Sequence, residues 1–126
     1  MPRIRRIKHV NPDDSTVKIS VIGTDNPDIY DDVTIGRNVC IYTPCEIQEG
    51  CVVENNTIIY EHTKIKLNTK IGRETIIGKH VHIGDDVEIG NNVVIRDDTT
   101  LECNVTIKDN VTINKDSIIR ENSMIT

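Results

Sequence analysis

The side chains able to do chemistry are few and regularly placed. His62 and His80 stand eighteen residues apart, and Asp98 follows at the same interval. An imidazole can take a proton from a hydroxyl or amine near neutral pH, and a carboxylate behind it can fix its orientation. Two residues earlier, Tyr42, Tyr60 and Arg96 follow the same spacing, with Gly78 between Tyr60 and Arg96. Cys40, Cys45, Cys51 and Cys103 show no metal-ligand spacing and read as reduced thiols, Cys45 and Cys51 as small core residues. Which of these groups meet depends on the elements that carry them.

Those elements are set by an aliphatic residue that returns at every sixth position, without a slip, from Ile29, Ile35, Ile41, Ile47 and Val53 through to Ile113, Ile119 and Ile125. Two positions before each stands a smaller residue: Val33, Val39, Cys45, Cys51, Thr57, Thr63 and their successors. Residues i−2 and i of a strand share a face, so both sets point inward and the residue between them points out. Three places after each anchor comes a residue tolerant of positive φ, such as Asn38, Gly50, Asn56, Asn68, Asp86 or Asn92, with His62 and His80 in the same slot and Pro44 and Glu74 as exceptions. Each hexad is therefore one short strand and one turn. No apolar set recurs at the helical period, so the chain is all-β, and such units are stable only when stacked into coils.

The hexads resemble those of the hexapeptide-repeat acyltransferases. Ile83-Gly84-Asp85-Asp86-Val87-Glu88 and Ile89-Gly90-Asn91-Asn92-Val93-Val94 fit the motif fully, whereas the second position departs at Tyr42, Gln48, Tyr60, Lys66, Arg96, Lys108, Asn114 and Arg120. The resemblance implies a left-handed parallel β-helix, triangular in section, with three hexads and eighteen residues per coil. Handedness comes from the family alone, since the general rule for parallel crossovers gives the right-handed sense.

One core suits 126 residues, and a narrow prism of aliphatic side chains explains the absence of Phe and Trp. A net charge of −5 argues against nucleic acid as partner. No apolar run approaches membrane-spanning length and Met1 to Val10 lacks the apolar centre of a signal peptide, which points to a cytoplasmic protein. Residues 1–14 form a basic N-terminal arm carrying Arg3, Arg5, Arg6 and Lys8, and residues 15–126 form the β-helix domain. Traced backwards, the register puts Val17 and Val21 inward, Ile22 outward and Asn26 in the turn slot. About six coils follow, roughly 28 Å at one strand spacing per coil. The last residues, Ser123 to Thr126, bring no cap, so end-to-end stacking on another chain is an expectation.

With eighteen residues per coil the outward positions sort into columns. Ile22, Cys40, Ile58, Ile76, Val94 and Thr112 make an exposed apolar stripe. Homotrimerisation through it, as in the resembling family, would bury it; the N-terminal arm folded over it is the other reading. At the corner that follows, His62, His80 and Asp98 stack in one column and Tyr42, Tyr60, Gly78 and Arg96 in another. The resemblance implies His80 as general base oriented by Asp98, with His62 beside it, Tyr60 and Arg96 as binding residues for acetyl-CoA, and a sugar or other small hydroxyl or amine acceptor. On the bland reading both histidines merely fill the turn slot held elsewhere by Asn and Asp. His82, on a strand face, reads as a surface residue, and His9 lies in the arm. His80 and His82 point different ways, so no metal site is expected. Asp85 points outward and should tolerate truncation. The competing function is a non-catalytic β-helix: a spacer, scaffold or assembly subunit, which the unbroken register suits.

Overall fold

The computed structural model describes residues 8–9, 19–23 and 27–126, and among them every regular element is a strand. The strands form three parallel sheets of seven, six and six members. The first holds Lys8–His9, Thr34–Ile35, Val52–Val53, Lys70–Ile71, Glu88–Ile89, Thr106–Ile107 and Met124–Ile125. The second holds Ile19–Ile22, Val39–Tyr42, Ile58–Ile59, Ile76–Ile77, Val94–Ile95 and Thr112–Ile113. The third holds Asp28–Ile29, Cys45–Ile47, Thr63–Ile65, His82–Ile83, Thr100–Leu101 and Ile118–Ile119. The chain visits the three in rotation, so each strand pairs with those one coil before and after it, as Ile76 does with Ile58 and Val94. The result is a parallel β-helix of about six coils.

Both inward sets lie in the interior. Ile35, Ile41, Ile59, Ile77 and Ile95 are fully buried, as are Val33, Val39, Val81 and Val93. Each buried isoleucine stabilises the prism by about 1.5–3 kcal/mol relative to leaving it in water. From Asp32 to Asn122 the turn slot takes positive φ at every position but Pro44, and Glu74, an expected exception, adopts it too at 57°. At the other exception the Thr43–Pro44 peptide is cis.

The backward extrapolation fails by two residues. Val21 pairs with Ile41 and Ile22 with Tyr42, an offset of twenty rather than eighteen. The apolar column therefore begins at Ser20, opposite Cys40, and Ile22 stands over the corner residue Tyr42. A longer corner accounts for the shift, and a strict period cannot register one. Lys8–His9 pairs with Thr34–Ile35, so part of the segment read as an arm adds a rung to the first sheet. The expected boundary between residues 14 and 15 lies outside the described residues, as do Val17 and Asn26.

Candidate functional site

Three residues turn the chain from each strand of the second sheet into the third, and successive coils superimpose them. Tyr42 stacks on Tyr60 with ring centroids 4.7 Å apart and planes 20° apart. In the middle column, Lys79 Nζ lies 3.7 Å from Glu61 Oε2, an exposed pair contributing at most about 1 kcal/mol. His62 stacks on His80 at 4.7 Å with an interplanar angle of 2°. The backbone dictates this parallelism. His62 and His80 have φ of 65° and 56°, and their N–H groups donate to Pro44 O at 2.6 Å and Glu61 O at 3.2 Å. The two turns differ in where their N–H groups reach, eighteen residues back for His62 and nineteen for His80, but both take positive φ and so project their rings side by side one rung apart.

The two imidazoles wall a cavity of about 310 Å³ on the third-sheet side of the corner. Its other walls include Pro44, Cys45, Glu46, Lys64 and His82. Glu46 is held by Gln48, whose Nε2 donates to Glu46 Oε2 at 2.6 Å. His82 is an exposed residue on a strand face, as the sequence predicts, and it also lines the cavity that His62 and His80 wall. The missed signal was proximity: the first outward strand residue after a corner lies close enough to share a cavity with the turn slot. Asp98 occupies the next rung of the histidine column, with φ 62°. It does not line the cavity, and among the described residues no hydrogen bond joins it to His80. His80 is held by its turn and by His62 instead.

Cys45 is not a nucleophile here. Burial, with a smaller contribution from the neighbouring Glu46 charge, pushes its thiol up to about 12, so the thiolate is absent at neutral pH. Burial likewise raises Cys51 to about 11, opposed in part by backbone hydrogen bonds from Thr69, Gln48 and Asn68. Among the described residues, no group of three His, Cys, Asp or Glu side chains is placed to hold a metal ion.

Across the Glu61–Lys79 ridge, on the second-sheet side, lies a second cavity of about 290 Å³. Tyr60 and Arg96 both line it, together with Lys79, Lys115 and Asp97 over an apolar floor of Ile76 and Val94. The residues singled out from the sequence thus divide between the two flanks of one corner. His62 and His80 face one, Tyr60 and Arg96 the other. The first flank offers proton-accepting nitrogens among charged groups, which suits a polar acceptor. The second offers cations beside apolar surface, which suits an anionic ligand with an apolar arm.

A model of the bacterial transferase hexapeptide (six repeats) matches residues 68–100 and 92–126, and one of the hexapeptide repeat of succinyl-transferase matches residues 29–61. No sequence among the curated proteins matches the chain. Among solved structures it is similar to a mutant perosamine N-acetyltransferase from Caulobacter crescentus in complex with CoA and GDP-perosamine, at 10% identity and a TM-score of 0.59, covering 82% of this chain and 51% of that one. It is also similar to a hexapeptide transferase family protein from Anaplasma phagocytophilum, at 20% identity and a TM-score of 0.60, covering 94% and 76% respectively. A third similar structure is the UDP-N-acetylglucosamine acyltransferase of Francisella novicida, at 15% identity and a TM-score of 0.53, covering 98% and 60%. The chain spans about half the length of the perosamine enzyme.

Proposed function

Because the chain belongs to the hexapeptide-repeat family, we propose that it is an acyltransferase carrying an acetyl group from acetyl-CoA to a hydroxyl or amine of a sugar or other small acceptor. The observation that carries this reading is the corner with two unlike flanks: stacked imidazoles on one, and a cation-lined apolar cavity on the other. A thioester held by Tyr60, Arg96 and the lysines would bring its carbonyl towards the corner. An acceptor lying against Glu46, Lys64 and His82 would direct its hydroxyl or amine to His80. The imidazole would take the proton as the acceptor attacks the carbonyl, and as the C–S bond breaks the imidazolium would return it to the departing coenzyme sulfur. A homotrimer packed through Cys40, Ile58, Ile76, Val94 and Thr112 would cover the apolar column and set a neighbour's face against this corner. Isothermal calorimetry with acetyl-CoA tests the reading: saturable binding by the purified protein is expected.

One observation favours the competing reading of a non-catalytic scaffold. From residue 27 to residue 126 the ladder runs on with no inserted loop to cover an acceptor. Calorimetry that returns no heat with any acyl-CoA, on a protein shown to be folded, would turn the assignment to that reading.

A further inference from the structure

The first sheet and the corner that follows it carry charges that no contact within the chain uses. On the sheet, Lys70 stands one rung before Glu88, with Val52 before it and Thr106 after. At the corner the column reads Glu54, Gly72, Gly90, Lys108. The four charged residues, together with Asp109, are exposed and border one recess of about 290 Å³ that Gly72 and Gly90 also line. Among the described residues neither Lys70, Lys108, Glu54 nor Glu88 makes an ion pair. The order of their signs has a symmetry. Strands repeat at about 4.8 Å, so these residues occupy four successive rungs. A half-turn about an axis parallel to the strands, lying over the surface midway between the rungs of Lys70 and Glu88, exchanges the outer two rungs and the inner two. It sets Lys70 opposite the partner's Glu88 and Glu54 opposite the partner's Lys108, each pair occurring twice. Gly72 meets the partner's Gly90, so no side chain holds the backbones apart there. Asp109, whose Oδ1 accepts from Asn91 N–H at 2.8 Å, meets the partner's Asn55. The Oδ1 of Asn55 accepts from Arg37 N–H at 2.8 Å, which leaves its amide nitrogen to donate. Arg73 and Glu74 meet the neutral Asn91 and Asn92. No like charges come opposite one another in these columns.

We propose that this face is a twofold contact between two copies of the chain, packed antiparallel. A twofold contact uses the same patch on both copies and must complement itself, and columns whose signs invert under the half-turn do so. Exposed ion pairs are individually weak and are screened by salt, so the contact forms and dissolves with ionic strength. It lies on a different sheet from the apolar column of Ile58, Ile76 and Val94, and therefore doubles whatever assembly that column sets. The histidine corner, between the second and third sheets, is on the far side of the prism and stays open. The contact is independent of whether the chain transfers acyl groups.

The test is the mass in solution at two ionic strengths. The parent's mass at about 0.01 M salt, where charges reach about 30 Å, should be twice that at about 1 M, where they reach about 3 Å. Lys70→Glu and Glu88→Lys, each alone, put like charges opposite one another, and the doubling should disappear while circular dichroism matches the parent. Mixed in equal amounts, the two variants should double again at low salt, because position 70 of each then faces position 88 of the other with opposite sign. Glu54→Lys mixed with Lys108→Glu gives the same readout from the outer pair, should a variant at the inner one lose its fold. A parent mass indifferent to salt would overturn the contact. So would rescue that occurs only when both substitutions share one chain, since that places the pair within a copy, or a doubling that survives every single substitution. Because the readout is a ratio, it is separate from the trimer. Six chains falling to three upholds both contacts, two falling to one upholds this contact and sinks the trimer, and three at both salts does the reverse.

Discussion

Within the prism the informative residues are the buried polar ones. Thr57, Thr63, Thr69, Thr75 and Thr99 are fully buried, and each hydroxyl donates to a carbonyl fifteen residues on, as Thr63 Oγ1 does to Gly78 O at 2.7 Å. Several also accept from the N–H one coil later, such as that of Val81. The hydroxyls are therefore satisfied without water. Cys51 does the same with sulfur, its thiol donating to Lys66 O at 2.8 Å. The sequence made these positions legible as small and inward. It could not show that Thr and Cys are interchangeable there, because the partner is a backbone carbonyl. From this follows a pH dependence. In the unfolded chain both thiols ionise near 9, whereas folded Cys45 and Cys51 hold their protons to about 12 and 11. The unfolded state then binds fewer protons, so the stability contribution is whole below pH 9 and declines as pH rises towards the folded values. Cys45→Thr combined with Cys51→Thr should remove this decline. Urea midpoints from pH 8 to 11 should fall less steeply in the double variant, and equal slopes would contradict it.

For the hexad the structure adds a coupling between coils that the repeat only hints at. Asn55, Asp85, Asn91, Asp97 and Asp109 turn an Oδ1 onto the backbone N–H eighteen residues earlier, at 2.8 to 3.1 Å. Beneath Asn55, Asn91, Asp97 and Asp109 the second position of the motif is glycine, at Gly36, Gly72, Gly78 and Gly90, whereas Lys66 holds it beneath Asp85. A Cβ at Gly90 would sit 2.3 Å from Asp109 Oδ1 and 2.8 Å from Asp109 N. The pattern of glycine was legible, but its cause was not, since the partner is nineteen residues away and outside the motif. Asp85 shows the cost of that blindness. Expected to be dispensable, it accepts from Leu67 N–H at 3.1 Å. Asp85→Ala should destabilise by about 0.5–1.5 kcal/mol, the net worth of one hydrogen bond. Gly90→Ala should cost more than Asp109→Ala, because its new methyl meets backbone as well as side chain. Chemical denaturation of the three variants checks the order, and a Gly90→Ala as stable as the parent would refute the packing. The same limit explains the corner: periodicity brought His62 to His80 and Tyr42 to Tyr60, but His82 belongs to another part of the hexad and joins their cavity only through folded proximity.

Across the whole molecule two adjacent isoleucines separate folding from assembly. Ile77 is fully buried, whereas Ile76 is 38% exposed on the apolar column between Ile58 and Val94. Ile77→Asp places an uncompensated charge in a dry interior and should unfold the chain. Ile76→Asp should keep the strand spectrum and lower the mass in solution from three chains to one, as sedimentation would record. A parent that sediments as a single chain would refute the proposed trimer. Both outcomes bear on the site, because the corner with the two flanks borders that column. The central claim is that His80 is the base of an acyl transfer, and His80→Asn tests it most directly. Asn occupies the same slot with φ between 57° and 66° at Asn38, Asn56, Asn68, Asn92, Asn104, Asn110 and Asn122, so the substitution keeps the turn while removing the imidazole. With acetyl-CoA and a panel of sugar and amine acceptors, thioester consumption should fall by about 10²-fold or more, the contribution of a positioned general base. Transfer by His80→Asn at the parent's rate would contradict it.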